Sequence, residues 1–145
     1  MKTLTNPAVI FHKKVKPEIY LVNHDLNIES LQQEAKTDEF AFFYLDGTKI
    51  CGPCDFLQEA AEAMHFPDYF GNNWNAFDEC ISDLEWIPAQ GYIIFYSNFM
   101  KFAKKDPNQF KIALSIFQVA VDYWQGEKIP MYVLLQKDEQ FSFNF

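Results

Sequence analysis

The chain has 145 residues, 49% of them hydrophobic and 18% aromatic, which is enough apolar area for one compact domain and far more than a disordered linker carries. Twelve Lys and no Arg face 20 acids, for a formal net charge of -8, which disfavours direct nucleic-acid binding because neutralising phosphates needs a basic footprint. No run reaches the roughly 18 apolar residues of a membrane span, and Met1-Lys2-Thr3-Leu4 opens no signal peptide, so a cytoplasmic chain without membrane contact is expected.

In chain order, Ala8-Val9-Ile10-Phe11 and Ile19-Tyr20-Leu21-Val22 read as short β-like runs, followed by a weakly helical stretch from Ile28 to Ala35. Phe40-Ala41-Phe42-Phe43-Tyr44-Leu45 is a continuous apolar run stopped by Asp46-Gly47, the pattern of a strand buried on both faces that ends in a turn. From Asp55 to His65, Phe56, Leu57, Ala60, Ala61 and Met64 recur at helical spacing until Pro67. A second helix runs from Asn73, its predicted cap, to Leu84 through Trp74, Phe77 and Ile81. Tyr92–Tyr96 and Met131–Leu135 read as two more buried strands. Between them, Asn108–Gln125 reads as a long helix, with Phe110, Ala113, Leu114, Phe117, Val121 and Trp124 inside and Gly126 closing it. Phe141, Phe143 and Phe145 alternate as an added edge strand would. Three apolar strands separated by helices predict a parallel, three-stranded sheet and an α/β domain.

The charge is unevenly placed. Between Cys51 and Met100 there is no Lys, while Asp55, Glu59, Glu62, Asp68, Asp78, Glu79, Asp83 and Glu85 all fall there. The rest of the chain balances, so the whole net charge lies in one third of the sequence and calls for a basic partner. On the Asn73–Leu84 helix the buried stripe leaves Asn75, Asp78, Glu79 and Ser82 on an exposed strip, at i, i+3, i+4 and i+7. Acids near a helix start are also favoured by the macrodipole, so a purely structural role is the alternative reading of that strip.

Pro67-Asp68-Tyr69-Phe70-Gly71-Asn72-Asn73-Trp74-Asn75-Ala76-Phe77-Asp78-Glu79-Cys80-Ile81 resembles the signature of the barstar family of ribonuclease inhibitors, with Tyr69, Gly71, Asn73, Ala76, Glu79 and Cys80 in register without a gap. The order strand, helix, acidic helix, strand, helix, strand extends the resemblance from Phe40 to about Gln136. It divides the chain into an N-terminal elaboration at 1–38, a barstar-like domain at 39–136 and a tail at 137–145.

The resemblance implies a non-enzymatic inhibitor, an antitoxin to a basic, barnase-like ribonuclease, with no cofactor, no metal and no catalytic residue. It assigns partner binding to Tyr69, Gly71, Asn73, Trp74, Asn75, Asp78 and Glu79. Glu79 would stand in for an RNA phosphate, Tyr69 would anchor the contact, and Gly71 would let the loop backbone approach closely. Asn75 replaces an Asp of the family pattern, Glu79 is one methylene longer than the usual Asp, and Asp78 stands where a well-known member has Trp. Val119, on the long helix, lies near where the family has an acid.

Cys51-Gly52-Pro53-Cys54 supplies the competing reading, a thioredoxin-like thiol-disulfide oxidoreductase, because that tetrapeptide at a helix start stabilises a thiolate. Zinc held by Cys51, Cys54, His65 and Cys80 is the weaker rival, since a Cys-x-x-Cys pair is half a structural site. Three cysteines, an odd number, do not make a disulfide framework.

Overall fold

The computed structural model describes residues 1–12 and 15–138. Its centre is a four-stranded, all-parallel sheet in the order β1-β4-β3-β2, with β1 at Ile19–Val22, β2 at Phe40–Asp46, β3 at Gly91–Ser97 and β4 at Met131–Gln136. The fold is therefore α/β as expected, with one strand more than the three predicted, because Ile19–Val22 pairs in parallel with Val133–Gln136. Lys2 and Leu4 hydrogen-bond along the outer side of β1, through Leu21 N–H to Lys2 O and Leu4 N–H to Leu21 O. The expected edge strand through Phe141, Phe143 and Phe145 lies outside the described residues.

Side chains alternate along each strand, and here both faces of the sheet are covered. One face presents Leu45, Tyr92, Ile94, Tyr96, Val133 and Leu135 to α2 (Pro53–Ala63), α3 (Trp74–Ile81), α4 (Met100–Lys105) and α5 (Pro107–Gly126). The other presents Tyr20, Val22, Ile93, Phe95, Tyr132 and Leu134 to Ile10, Leu31 and Ala35, from a short 3-10 helix at Pro7–His12 and from α1 at Ile28–Thr37. The N-terminal residues thus form the third layer of the same sheet.

Several sequence expectations need correcting. Ala8–Phe11 is not a strand but part of the 3-10 helix that follows Asn6. Phe40–Leu45 is not buried on both faces: β2 is the edge strand, and its Tyr44 is 42% exposed. β3, buried along its whole length, is the strand that such an apolar run describes. The helix predicted to reach Leu84 stops at Ile81, after which Leu84 turns back into the core at φ 46°. The sequence expectations do not include α4, whose Phe102 is fully buried.

Gly47 ends β2 for a reason other than turn conformation. A Cβ there would collide with the backbone carbonyl oxygen of Ser97, so only glycine lets the end of β2 approach the end of β3. Among the described residues, no helix is long and apolar enough to cross a membrane.

Candidate functional site

The site is built on α3 and the loop before it. Asn73 has extended backbone, φ -138° and ψ 169°, and its side-chain oxygen accepts from the N–H of Ala76 at 2.8 Å while its amide donates to Gly71 O at 3.3 Å. One side chain therefore both caps the helix and ties down the loop, a contribution of about 1 kcal/mol. Behind it, Trp86 Nε1–H donates to Met64 O at 3.0 Å, and the rings of Phe66 and Phe70 meet at 5.0 Å. Held by these two anchors, the loop turns Tyr69 outward, 72% exposed.

The buried side of α3 is aromatic. Phe56 of α2 is ringed by Trp74, Phe77, Tyr96, Phe102 and Phe117, with centroids 5.3 to 6.0 Å away. Trp74 Nε1–H donates to Gln109 Oε1 at 2.8 Å, and Trp124 Nε1–H donates to Ile81 O at 2.9 Å. These bonds fasten both ends of α3 to α5, so the helix has one fixed rotation about its axis.

That rotation leaves Asn75, Asp78 and Glu79 exposed, with Ser82 half-buried as the C-cap. Neither Asp78 nor Glu79 forms an ion pair among the described residues. Desolvation of its hydroxyl, and then the charges of Asp83, Glu85 and Glu79 among its neighbours, raise the Tyr69 phenol above its ordinary range. Tyr69 therefore shares one electrostatic neighbourhood with Glu79 of α3 and with Asp83 and Glu85 just beyond it.

Of the residues singled out by sequence, Tyr69, Gly71, Asn73, Asn75, Asp78 and Glu79 are exposed and adjoining along the loop and helix. Trp74 differs. It is half-buried, with its ring against Phe56 and its N–H bonded to Gln109, and it orients the helix from beneath. Asp83, one residue past the C-cap, belongs to the same acidic neighbourhood, and the sequence marks it only as part of the charge excess.

The cysteines are free and separated by role. Cys80 is buried on the inner side of α3, where burial first, then Asp83 and Glu79, raises its thiol. Cys51 and Cys54 flank the start of α2, whose N-cap is Gly52, and the Cys51 N–H donates to an Asp55 carboxylate oxygen at 3.1 Å. Among the described residues, no group of three or more His, Cys, Asp or Glu side chains is gathered to hold a metal ion, so Cys51, Cys54, His65 and Cys80 do not converge.

Two open clefts, of about 810 and 960 Å³, lie elsewhere on the molecule, one lined by Phe11, Phe40 and Tyr132, the other by Ile19, Phe110 and Leu114. Neither borders α3. What the α3 surface offers chemically is a pair of exposed carboxylates, Asp78 and Glu79, and an exposed tyrosine on the loop before them, groups that accept charge-assisted hydrogen bonds and offer aromatic area.

A family model described as Barstar (barnase inhibitor) matches residues 40–136. No curated protein matches the chain.

Proposed function

Because the chain belongs to the barstar (barnase inhibitor) family over residues 40–136, we propose that it binds a basic ribonuclease and blocks its active site with α3 and the Tyr69–Asn73 loop. The observation that carries this reading is the pair of exposed carboxylates, Asp78 and Glu79, on a helix fastened at both ends to α5. Ribonuclease sites hold cations to grip phosphate, and a carboxylate accepts charge-assisted hydrogen bonds from the same donors. Rigidity adds affinity because little order is lost on docking. Tyr69 extends the contact as an aromatic anchor, and the Lys-free segment from Cys51 to Met100 supplies a field that speeds encounter with a basic protein. In this reading the chain acts by occupying a catalytic site without being a catalyst, as an antitoxin inside the cell that makes the ribonuclease.

The test is a titration of RNA hydrolysis by barnase and by other small basic ribonucleases. The expected result is loss of one enzyme's activity at equimolar inhibitor, with association slowed by salt. Undiminished activity of every enzyme at large molar excess of the chain would sink the proposal.

A further inference from the structure

The connection from β2 to α2 is tied to the helix that follows it. Asp55 and Glu59, one turn apart on α2, reach back along it: an Asp55 carboxylate oxygen accepts from the Cys51 N–H and a Glu59 carboxylate oxygen accepts from the Asp46 N–H, each at 3.1 Å. Ile50, between these two tethers, is fully buried. Cys51 is therefore delivered to the start of α2 on a fixed path, and Cys54 is already inside the helix, after Gly52 as N-cap and Pro53 in the first turn. Both thiols are free, Cys51 half-buried and Cys54 exposed. Among the described residues no third ligand gathers with them to hold a metal ion, so their pairing has a different chemistry to offer.

A disulfide spans Cα separations of roughly 4.4–6.8 Å, which two residues three apart in a helical turn satisfy. Gly52 stands in the way. It is extended, at φ -163° and ψ -173°, and stretches the chain between the cysteines so that Cys51 stays outside the turn. A residue before proline is pushed to extended backbone by the proline ring, chiefly through its own Cβ and N–H, and glycine has no Cβ to clash. Glycine is thus the residue at which a turn into helical backbone costs least. The Gly52 carbonyl already accepts from the Phe56 N–H at 3.0 Å and keeps that bond in either state, and the space around its Cα is open.

We propose that Cys51 and Cys54 form a reversible thiol-disulfide modification site, closed by rotation at Gly52, in which the exposed Cys54 reacts first with a small disulfide such as glutathione disulfide and Cys51 resolves it. The deprotonated Cys54 sulfur attacks one sulfur of the oxidant and releases one glutathione. The Cys51 sulfur, giving its proton to solvent, then attacks the Cys54 sulfur and releases the second. One S–S bond is broken in the oxidant and one is made in the protein, and the two electrons lost by the protein's thiols reduce the oxidant to two thiols. Cys80, only 3% exposed, takes no part. The site does not depend on what α3 binds.

The test equilibrates the whole chain with graded mixtures of glutathione and its disulfide, quenches in acid and reads the intact mass. The parent should lose two hydrogens and carry no adduct. Because its second step is intramolecular, it should do so at a glutathione disulfide concentration at least ~10-fold below that at which Cys51→Ser takes up one persistent glutathione. Cys54→Ser should remain reduced over that range. Gly52→Ala, which meets no neighbouring atom and should fold as the parent does by circular dichroism, is expected to stop at the Cys54 adduct where the parent closes its ring. A parent that accumulates the adduct or disulfide-linked dimers, a Cys54→Ser variant as reactive as Cys51→Ser, or a Gly52→Ala variant that closes as readily as the parent overturns the proposal.

Discussion

The indole N–H of Trp74 donates to Gln109 Oε1 at 2.8 Å, joining the first residue of α3 to the first turn of α5 across 35 residues of sequence. Trp74 would otherwise leave a donor partly buried without a partner. Gln109→Ala is expected to lower stability by about 1 kcal/mol in urea unfolding. Weaker inhibition at unchanged secondary structure would accompany it, because α3 loses one of its two fastenings. A variant that unfolds and inhibits as the parent does would show that the bond does not position the helix.

Asp78→Ala and Glu79→Ala together should weaken binding to the inhibited ribonuclease by about 2–5 kcal/mol, with stability unaltered. Both side chains are exposed, and among the described residues neither has an ion-pair partner to lose. The pair should also flatten the salt dependence of association, measured by stopped flow across ionic strength.

Tyr96 lies in the middle of the core with its hydroxyl buried and without a hydrogen-bond partner among the described residues. An unpaired buried hydroxyl costs about 1–3 kcal/mol, so Tyr96→Phe is expected to leave thermal stability unchanged or raise it. A large loss would mean that the hydroxyl has a partner after all.

Buried tyrosines make stability depend on pH in the alkaline range. Burial pushes the Tyr132 phenol up to about 12, and Tyr20 and Tyr92 are raised in the same direction, also by burial first. A phenol whose folded pKa exceeds its unfolded value near 10 binds its proton more firmly when folded. Its contribution is therefore complete below about pH 10 and declines as the pH rises towards 12. Tyr132→Phe also loses a 2.8 Å bond to Val15 O, so the quantity to compare is the slope of stability against pH. Above pH 10 that slope should be shallower than in the parent.

The strands β3 and β4 are legible in sequence because an unbroken apolar run of strand length has few other uses. β2 shows the limit of that rule. Phe40–Leu45 is as apolar as β3, but at the edge only Phe43 and Leu45 are buried, and composition does not separate an edge strand from a central one when both faces of the sheet are packed. Gly47 shows another limit, since its need comes from Ser97, fifty residues away, and not from its own backbone conformation. The acidic strip was readable because its carboxylates interrupt an otherwise apolar period. On α5 the buried and exposed stripes are both apolar and merge into one hydrophobic helix, so the second face emerges only once the first is seen packed against the sheet.

The layer formed by α1 and the 3-10 helix bears on how the family segment is to be handled as a piece of protein. Residues 40–136 carry the whole family match, yet Ile93, Phe95, Tyr132 and Leu134 rest against Ile10, Leu31 and Ala35, and β4 pairs on its open side with β1. Expressed alone, that segment would present a broad aromatic wall and a bare strand edge to water, the combination that drives chains to stick to one another. It should be recovered as aggregate, and supplying residues 1–38 as a separate polypeptide during refolding should restore solubility, as two halves of one domain reassembling.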